Sequence, residues 1–161
     1  MPQQSFLFFF TVCWLLSACK TTKPIATVEN CNAEIIQGIE GNILFREGNW
    51  MPGPDMNPEQ KGSGVQRDVY IYELTKMSQT TPNEERVFFS DIKTKFIKKI
   101  TSSPDGCFKV SLPVGRYSLF VVEEGKLYAN RFDGEMHIFP VLVEEGNLTH
   151  VQFIIDHKAT Y

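Results

Sequence analysis

The chain has 161 residues, 42% of them hydrophobic and 22% charged, with a formal net charge of −3 at pH 7. That length suits one domain with a single core and is too short for two comfortable ones. The slightly acidic balance, with a sequence pI of about 5.6, supplies no electrostatic footprint for nucleic-acid binding.

An apolar run fills residues 6–16, from Phe6-Leu7-Phe8-Phe9-Phe10 through Trp14-Leu15-Leu16. It is shorter than the ~20 residues of a membrane span and has the length of a signal-peptide core. It lacks a polar face, so it has no helical period with which to pack inside a domain. Small residues follow it, and Leu16-Ser17-Ala18-Cys19 resembles a lipobox, the cleavage signal of bacterial lipoproteins. The resemblance implies cleavage before Cys19, acylation of its sulfur, and attachment to a membrane through that lipid anchor. Only the α-amino group is positive ahead of the core, because the first lysine is Lys20. The alternative is an ordinary signal peptide with an incidental cysteine. On the lipoprotein reading, residues 1–18 are the signal, 19–33 are the acylated cysteine and a polar tether, and 34–157 are the domain. Lys20 is not the acidic residue that retains some lipoproteins at an inner membrane. By that analogy the expected location is the cell envelope, anchored in the outer membrane, with the periplasmic or external face open.

Cys31 and Cys107 are left once Cys13 departs with the signal and Cys19 takes lipid. They are an even pair in an oxidising compartment, which makes one disulfide the expectation and two separate buried thiols the alternative.

From Ile35 the pattern is that of strands and turns. Residues 35–45 are apolar and β-branched, interrupted by Gly38 and Gly41. Residues 46–68 carry three prolines and four glycines without an apolar period and are expected to form a long loop. Strands are predicted over 68–75, 86–90 and 94–101. Ser103-Pro104-Asp105-Gly106 is a turn, because Pro presets φ and Gly accepts a positive φ. After it, Phe108, Val110 and Leu112 share one face of a strand. Pro113-Val114-Gly115 turns into 116–123, where Tyr117, Leu119 and Val121 share a face. Further turns at 124–126, 133–135 and 145–147 separate strands over 127–132, 137–143 and 148–155. Turn signals every 8–12 residues and no 3.6-residue stripe predict an all-β, seven- to nine-stranded antiparallel β-sandwich with little or no helix.

Three pieces together resemble the carboxypeptidase regulatory-like domain, a transthyretin-like sandwich. They are Ile39-Glu40-Gly41-Asn42-Ile43, Val69-Tyr70-Ile71-Tyr72-Glu73-Leu74, and Pro104-Asp105-Gly106-Cys107-Phe108 followed by Pro113-Val114-Gly115-Arg116-Tyr117. The resemblance spans most of residues 34–156. It departs in the long 46–68 connection and in an extra hairpin over 127–143. It implies an accessory module that binds a protein or glycan and is not an enzyme. The rival expectations are a structural envelope component that assembles through strand edges, and an accessory subunit of an envelope enzyme.

Candidate chemistry is sparse. His137, His150 and His157 lack metal-ligand spacing and are expected at surfaces or edges, with His137 and His150 able to meet only if a hairpin over 135–156 forms. No cofactor is expected. Asp133-Gly134-Glu135 with Asn130 offers oxygen ligands for calcium, but a plain β-turn is the preferred reading. Lys93, Lys95, Lys98 and Lys99 are the one basic cluster, read as lysines that protect an edge strand. Trp50, Met51 and Met56 lie among Gly and Pro in the long loop. They are the candidate partner-binding residues, with Trp50 as anchor or, alternatively, folded back to cap the sandwich.

Overall fold

A computed structural model describes residue 31, residues 34–53 and residues 62–161. Cys19 and Met56 lie outside the described residues. In chain order the strands are β1 (Gly38–Asn49), β2 (Ser63–Gly64), β3 (Asp68–Glu73), β4 (Thr81–Pro82) and β5 (Phe88–Ser90). They continue with β6 (Phe96–Thr101), β7 (Cys107–Ser111), β8 (Gly115–Glu123), β9 (Lys126–Tyr128), β10 (Pro140–Val143) and β11 (Leu148–Thr160). A single 3₁₀ turn, Met77–Gln79, is the one helical element among the described residues.

Two sheets result. In the first, β1 is central: β11 runs along one edge, and the other edge is shared by β7, opposite Gly38 to Asn42, and β2, opposite Leu44 and Phe45. The second has the order β4-β5-β9-β8-β3-β6, with β10 beside the first half of β8 and β9 beside the second. This is the all-β sandwich that the turn spacing predicts. It has more strands than the seven to nine expected, because β2 and β4 are two-residue pairings too short to leave a pattern. It is not wholly antiparallel either: β1 and β11 pair in parallel, from Gly38 opposite Leu148 to Asn49 opposite Thr160.

The core comes from the alternation of strand side chains. Ile39, Ile43, Phe108, Val110, Phe153 and Ile155 face inward from the first sheet. Val69, Ile71, Leu119 and Val121 come from the second, and Phe139 stacks on Phe153 with centroids 4.3 Å apart. Each fully buried apolar side chain of this kind contributes roughly 1.5–3 kcal/mol. β8 is buried on both faces. Phe120, on the side opposite Leu119, packs edge-on against Tyr72 and Phe89, and Phe89 in turn meets Phe132. The Tyr117 hydroxyl donates to the Pro113 carbonyl at 2.9 Å, which fixes the entry to β8.

Two glycines are required by their surroundings. Gly106, at φ +85, closes the turn before β7. Gly41 sits where any Cβ would be driven into the Val151 carbonyl of β11. Residues 130–132, expected to continue a strand, instead form an irregular segment, tied back by a bridge between Phe132 and Ile138.

Candidate functional site

Of the candidate partner-binding residues, Trp50 and Met51 stand at the end of the sandwich where β1 and β11 run out together. Trp50 is only 6% exposed. Its Nε1 donates to the Glu47 carbonyl at 3.0 Å, its backbone N–H donates to the Thr160 carbonyl at 2.7 Å, and the Arg46 guanidinium lies 4.5 Å from the ring centroid. Trp50 therefore closes the base of the loop, and its face is not presented to a partner. Met51 is 49% exposed beside it, its N–H held by the Asn49 side chain at 3.0 Å. Phe45, Glu47, Trp50, Gly62 and Ser63 line a cavity of about 320 Å³ at this loop base.

Cys31 and Cys107 are joined in a disulfide, with their Cα atoms 6.1 Å apart. The bond clips the segment ahead of β1 onto β7. A second cavity, of about 210 Å³, lies against it and is lined in part by Glu40, Lys109 and His150.

The 133–135 turn is held by its own aspartate. Asp133 Oδ1 accepts from the backbone N–H of Glu135 at 3.0 Å and of His137 at 2.9 Å, and Oδ2 meets His137 Nδ1 at 2.8 Å. Burial works to raise the Asp133 carboxyl, but these bonds outweigh it and hold it below its usual value. Asn130 turns away, donating to Asp156 Oδ1 at 2.6 Å, so the oxygens considered for calcium are not brought together. His137 belongs to this turn and His150 to β11 in the other sheet, opposite Glu40, so the pair does not meet. Lys98 and Lys99 lie on β6, the outer strand of the second sheet, and Lys99 pairs with Asp68 at 2.7 Å.

The cluster that sequence reasoning missed is formed by Glu123, Glu124 and His157. Glu123 ends β8, Glu124 opens the two-residue turn to β9, and His157 lies on β11 in the opposite sheet. Side-chain exposure is 5% for Glu123, 9% for His157 and 53% for Glu124. The imidazole is enclosed by the rings of Phe45, Phe88 and Tyr128, at centroid distances of 6.2, 5.4 and 5.4 Å. Neither of its nitrogens has a hydrogen-bond partner. Nε2 lies 3.7 Å from Glu124 Oε1 and 4.0 Å from Glu123 Oε1.

The two carboxylates have their own cations. Arg67 Nε donates to Glu123 Oε2 at 2.6 Å, and Lys158 Nζ lies 2.7 Å from Glu124 Oε1. The Lys158 hydrogen bond and charge hold the Glu124 carboxyl below its usual range. Glu124 also adopts φ +51, a conformation that favours Asn, Asp or Gly at the first position of such a turn. A sequence signal for this cluster did exist. The inward period of β8, Tyr117-Leu119-Val121, lands next on Glu123, and that of β11, Val151-Phe153-Ile155, lands on His157. Two polar residues continue two core faces at the same end of the sandwich.

Comparison with protein families, with characterised proteins and with solved structures finds no match for this chain.

Proposed function

We propose that the chain is a lipid-anchored cell-envelope module whose β-sandwich binds an envelope protein or glycan and performs no catalysis itself. One observation carries the reading: a signal-like segment ending in Leu16-Ser17-Ala18-Cys19 precedes a domain clipped by the Cys31–Cys107 disulfide. Disulfides persist in oxidising compartments, which is where a lipobox would deliver the chain. Residues 20–33 then serve as the tether between the anchor and the sandwich, in the outer membrane by the Lys20 analogy. The resemblance of residues 34–156 to carboxypeptidase regulatory-like domains supports an accessory role.

The binding surface on this reading is the loop end, with Met51 as the contact and buried Trp50 as its base. Met56 belongs to the same loop. Hydroxyls elsewhere are engaged in the fold: Ser118 accepts from the Thr75 N–H at 2.9 Å, and Ser102 accepts from the Arg67 N–H at 2.8 Å. Such bonds favour a structural use for these groups over nucleophilic chemistry.

Intact mass measurement of the membrane-extracted protein is expected to give a chain that starts at acylated Cys19. A bare Cys19 thiol with residues 1–18 attached overturns the anchor. Cross-linking in whole envelopes is expected to capture a partner through the loop, with recovery reduced by Met51→Asp and stability unchanged. Equal recovery from the Met51→Asp chain moves the binding surface elsewhere.

A further inference from the structure

We propose that His157, Glu123 and Glu124 form a three-ligand site for a divalent first-row transition metal ion, for which zinc is the direct probe. The first ground is the imidazole itself. His157 is nine-tenths buried, and both ring nitrogens lack a hydrogen-bond partner. Buried polar atoms are satisfied in the great majority of cases, so an orphaned imidazole aimed at two carboxylates calls for an occupant between them.

The spacing says which occupant. Separations of 3.7 and 4.0 Å from Nε2 to the carboxylate oxygens are too long for hydrogen bonds. Ligands at roughly 2.0–2.1 Å from a tetrahedral zinc stand about 3.3 Å from one another. The three ligand atoms lie within 4.8 Å of one another and need only a modest contraction to close on an ion. One imidazole nitrogen and two carboxylate oxygens suit zinc and its neighbours, and three protein ligands leave a fourth position open.

The neighbouring cations divide into one that supports the site and one that must yield. Arg67 engages Oε2 of Glu123 and leaves Oε1 facing His157, the arrangement of an outer partner that orients a ligand. Lys158 occupies Oε1 of Glu124 and has to be displaced. Its side chain is 47% exposed on a flexible stem, so the ammonium can move into solvent. A bound ion would tie the β8–β9 turn of one sheet to β11 of the other, so binding should stabilise the fold.

The test uses the full chain, detergent-extracted, stripped with chelator, and titrated with zinc chloride by calorimetry and with cobalt by visible absorption. One ion per chain is expected, with a raised melting temperature and the absorption of four-coordinate cobalt. His157→Ala and Glu124→Gln should each weaken zinc binding at least about tenfold. Lys158→Met should tighten it, since no ammonium then competes for Glu124. Glu124 sits in an exposed turn, so Glu124→Gln stays folded even if His157→Ala does not, and circular dichroism verifies this. A folded wild-type chain that takes up no ion overturns the proposal. Zinc binding that Glu124→Gln leaves unchanged also overturns it, because the ion is then held elsewhere.

Discussion

Arg67 donates from Nε to Glu123 Oε2 at 2.6 Å, and this bond lets a carboxylate sit 5% exposed at the end of β8. The two residues do not contribute symmetrically. Arg67 is 30% exposed and keeps contact with water, whereas Glu123 depends on its partner. Removing Arg67 strands a buried negative charge; replacing Glu123 with a neutral amide strands none. Arg67→Ala is therefore expected to cost about 3 kcal/mol, and Glu123→Gln much less. Urea denaturation of the two variants measures the difference. Equal costs would mean that the carboxylate finds another donor when Arg67 is gone.

Gly41 tests the parallel pairing of β1 and β11. Its missing side chain lets the Val151 carbonyl approach the backbone closely. Gly41→Ala must push the strands apart or break the ladder, at a cost of about 2 kcal/mol or more. The β1–β11 amides should lose protection in hydrogen exchange before those of β3 and β8. Uniform loss over both sheets would argue against a local clash.

How much of this was readable beforehand depends on the range of each interaction. The turns at Gly106, Gly115 and Gly146 are local, and so are the alternating faces of β7 and of Tyr117-Leu119-Val121, and all were legible. The parallel partner of β1 lies at the far end of the chain, and no local signal announces it. The burial of Phe120, on the other face of β8, left no such signal, because the aromatic layer of Tyr72, Phe89 and Phe132 that covers it is assembled from distant segments. β11 runs to Thr160, past the expected end of its strand at residue 155, because β1 extends to Asn49 and gives it a partner. Trp50 had two open readings, and burial favours the capping one. His157 was placed at the surface by default, although the period of its own strand pointed inward.

The Cys31–Cys107 bond joins residues 76 apart in sequence. Closing a loop of that size restricts the unfolded chain by about 4 kcal/mol on the chain-entropy account. Replacing both cysteines with serine is expected to lower the denaturation midpoint accordingly, and reduction of the wild type should reproduce the loss. A double-serine chain within about 1 kcal/mol of wild type would indicate that the unfolded state is already compact around this clip.

Lys99 on β6 reaches diagonally across to Asp68 on β3 at 2.7 Å, and Thr101, directly opposite Asp68, donates from Oγ1 to the same carboxylate at 2.7 Å. Burial acts to raise the Asp68 carboxyl, but the bonds from Lys99 and Thr101, together with the lysine charge, hold it below its ordinary 3.8. With the folded value depressed, the unfolded chain takes up the proton first as pH falls. The contribution is therefore fully present above the unfolded value and is lost as pH drops through the folded one. Lys99 behaves in the opposite sense. Its hydrogen bond to Asp68 raises it above 10.5 against a smaller effect of burial, so its contribution is complete below that value and fades as pH rises past the folded one. Both side chains are 34% exposed, which keeps the pair under about 1 kcal/mol and makes it sensitive to salt. A double-mutant cycle with Asp68→Asn and Lys99→Met should show coupling at about pH 7 that is lost as pH falls through the depressed folded value of Asp68. Coupling that survives at the acid end would mean that the contact between β3 and β6 here is packing, carried by Lys99 against Tyr70, and not charge.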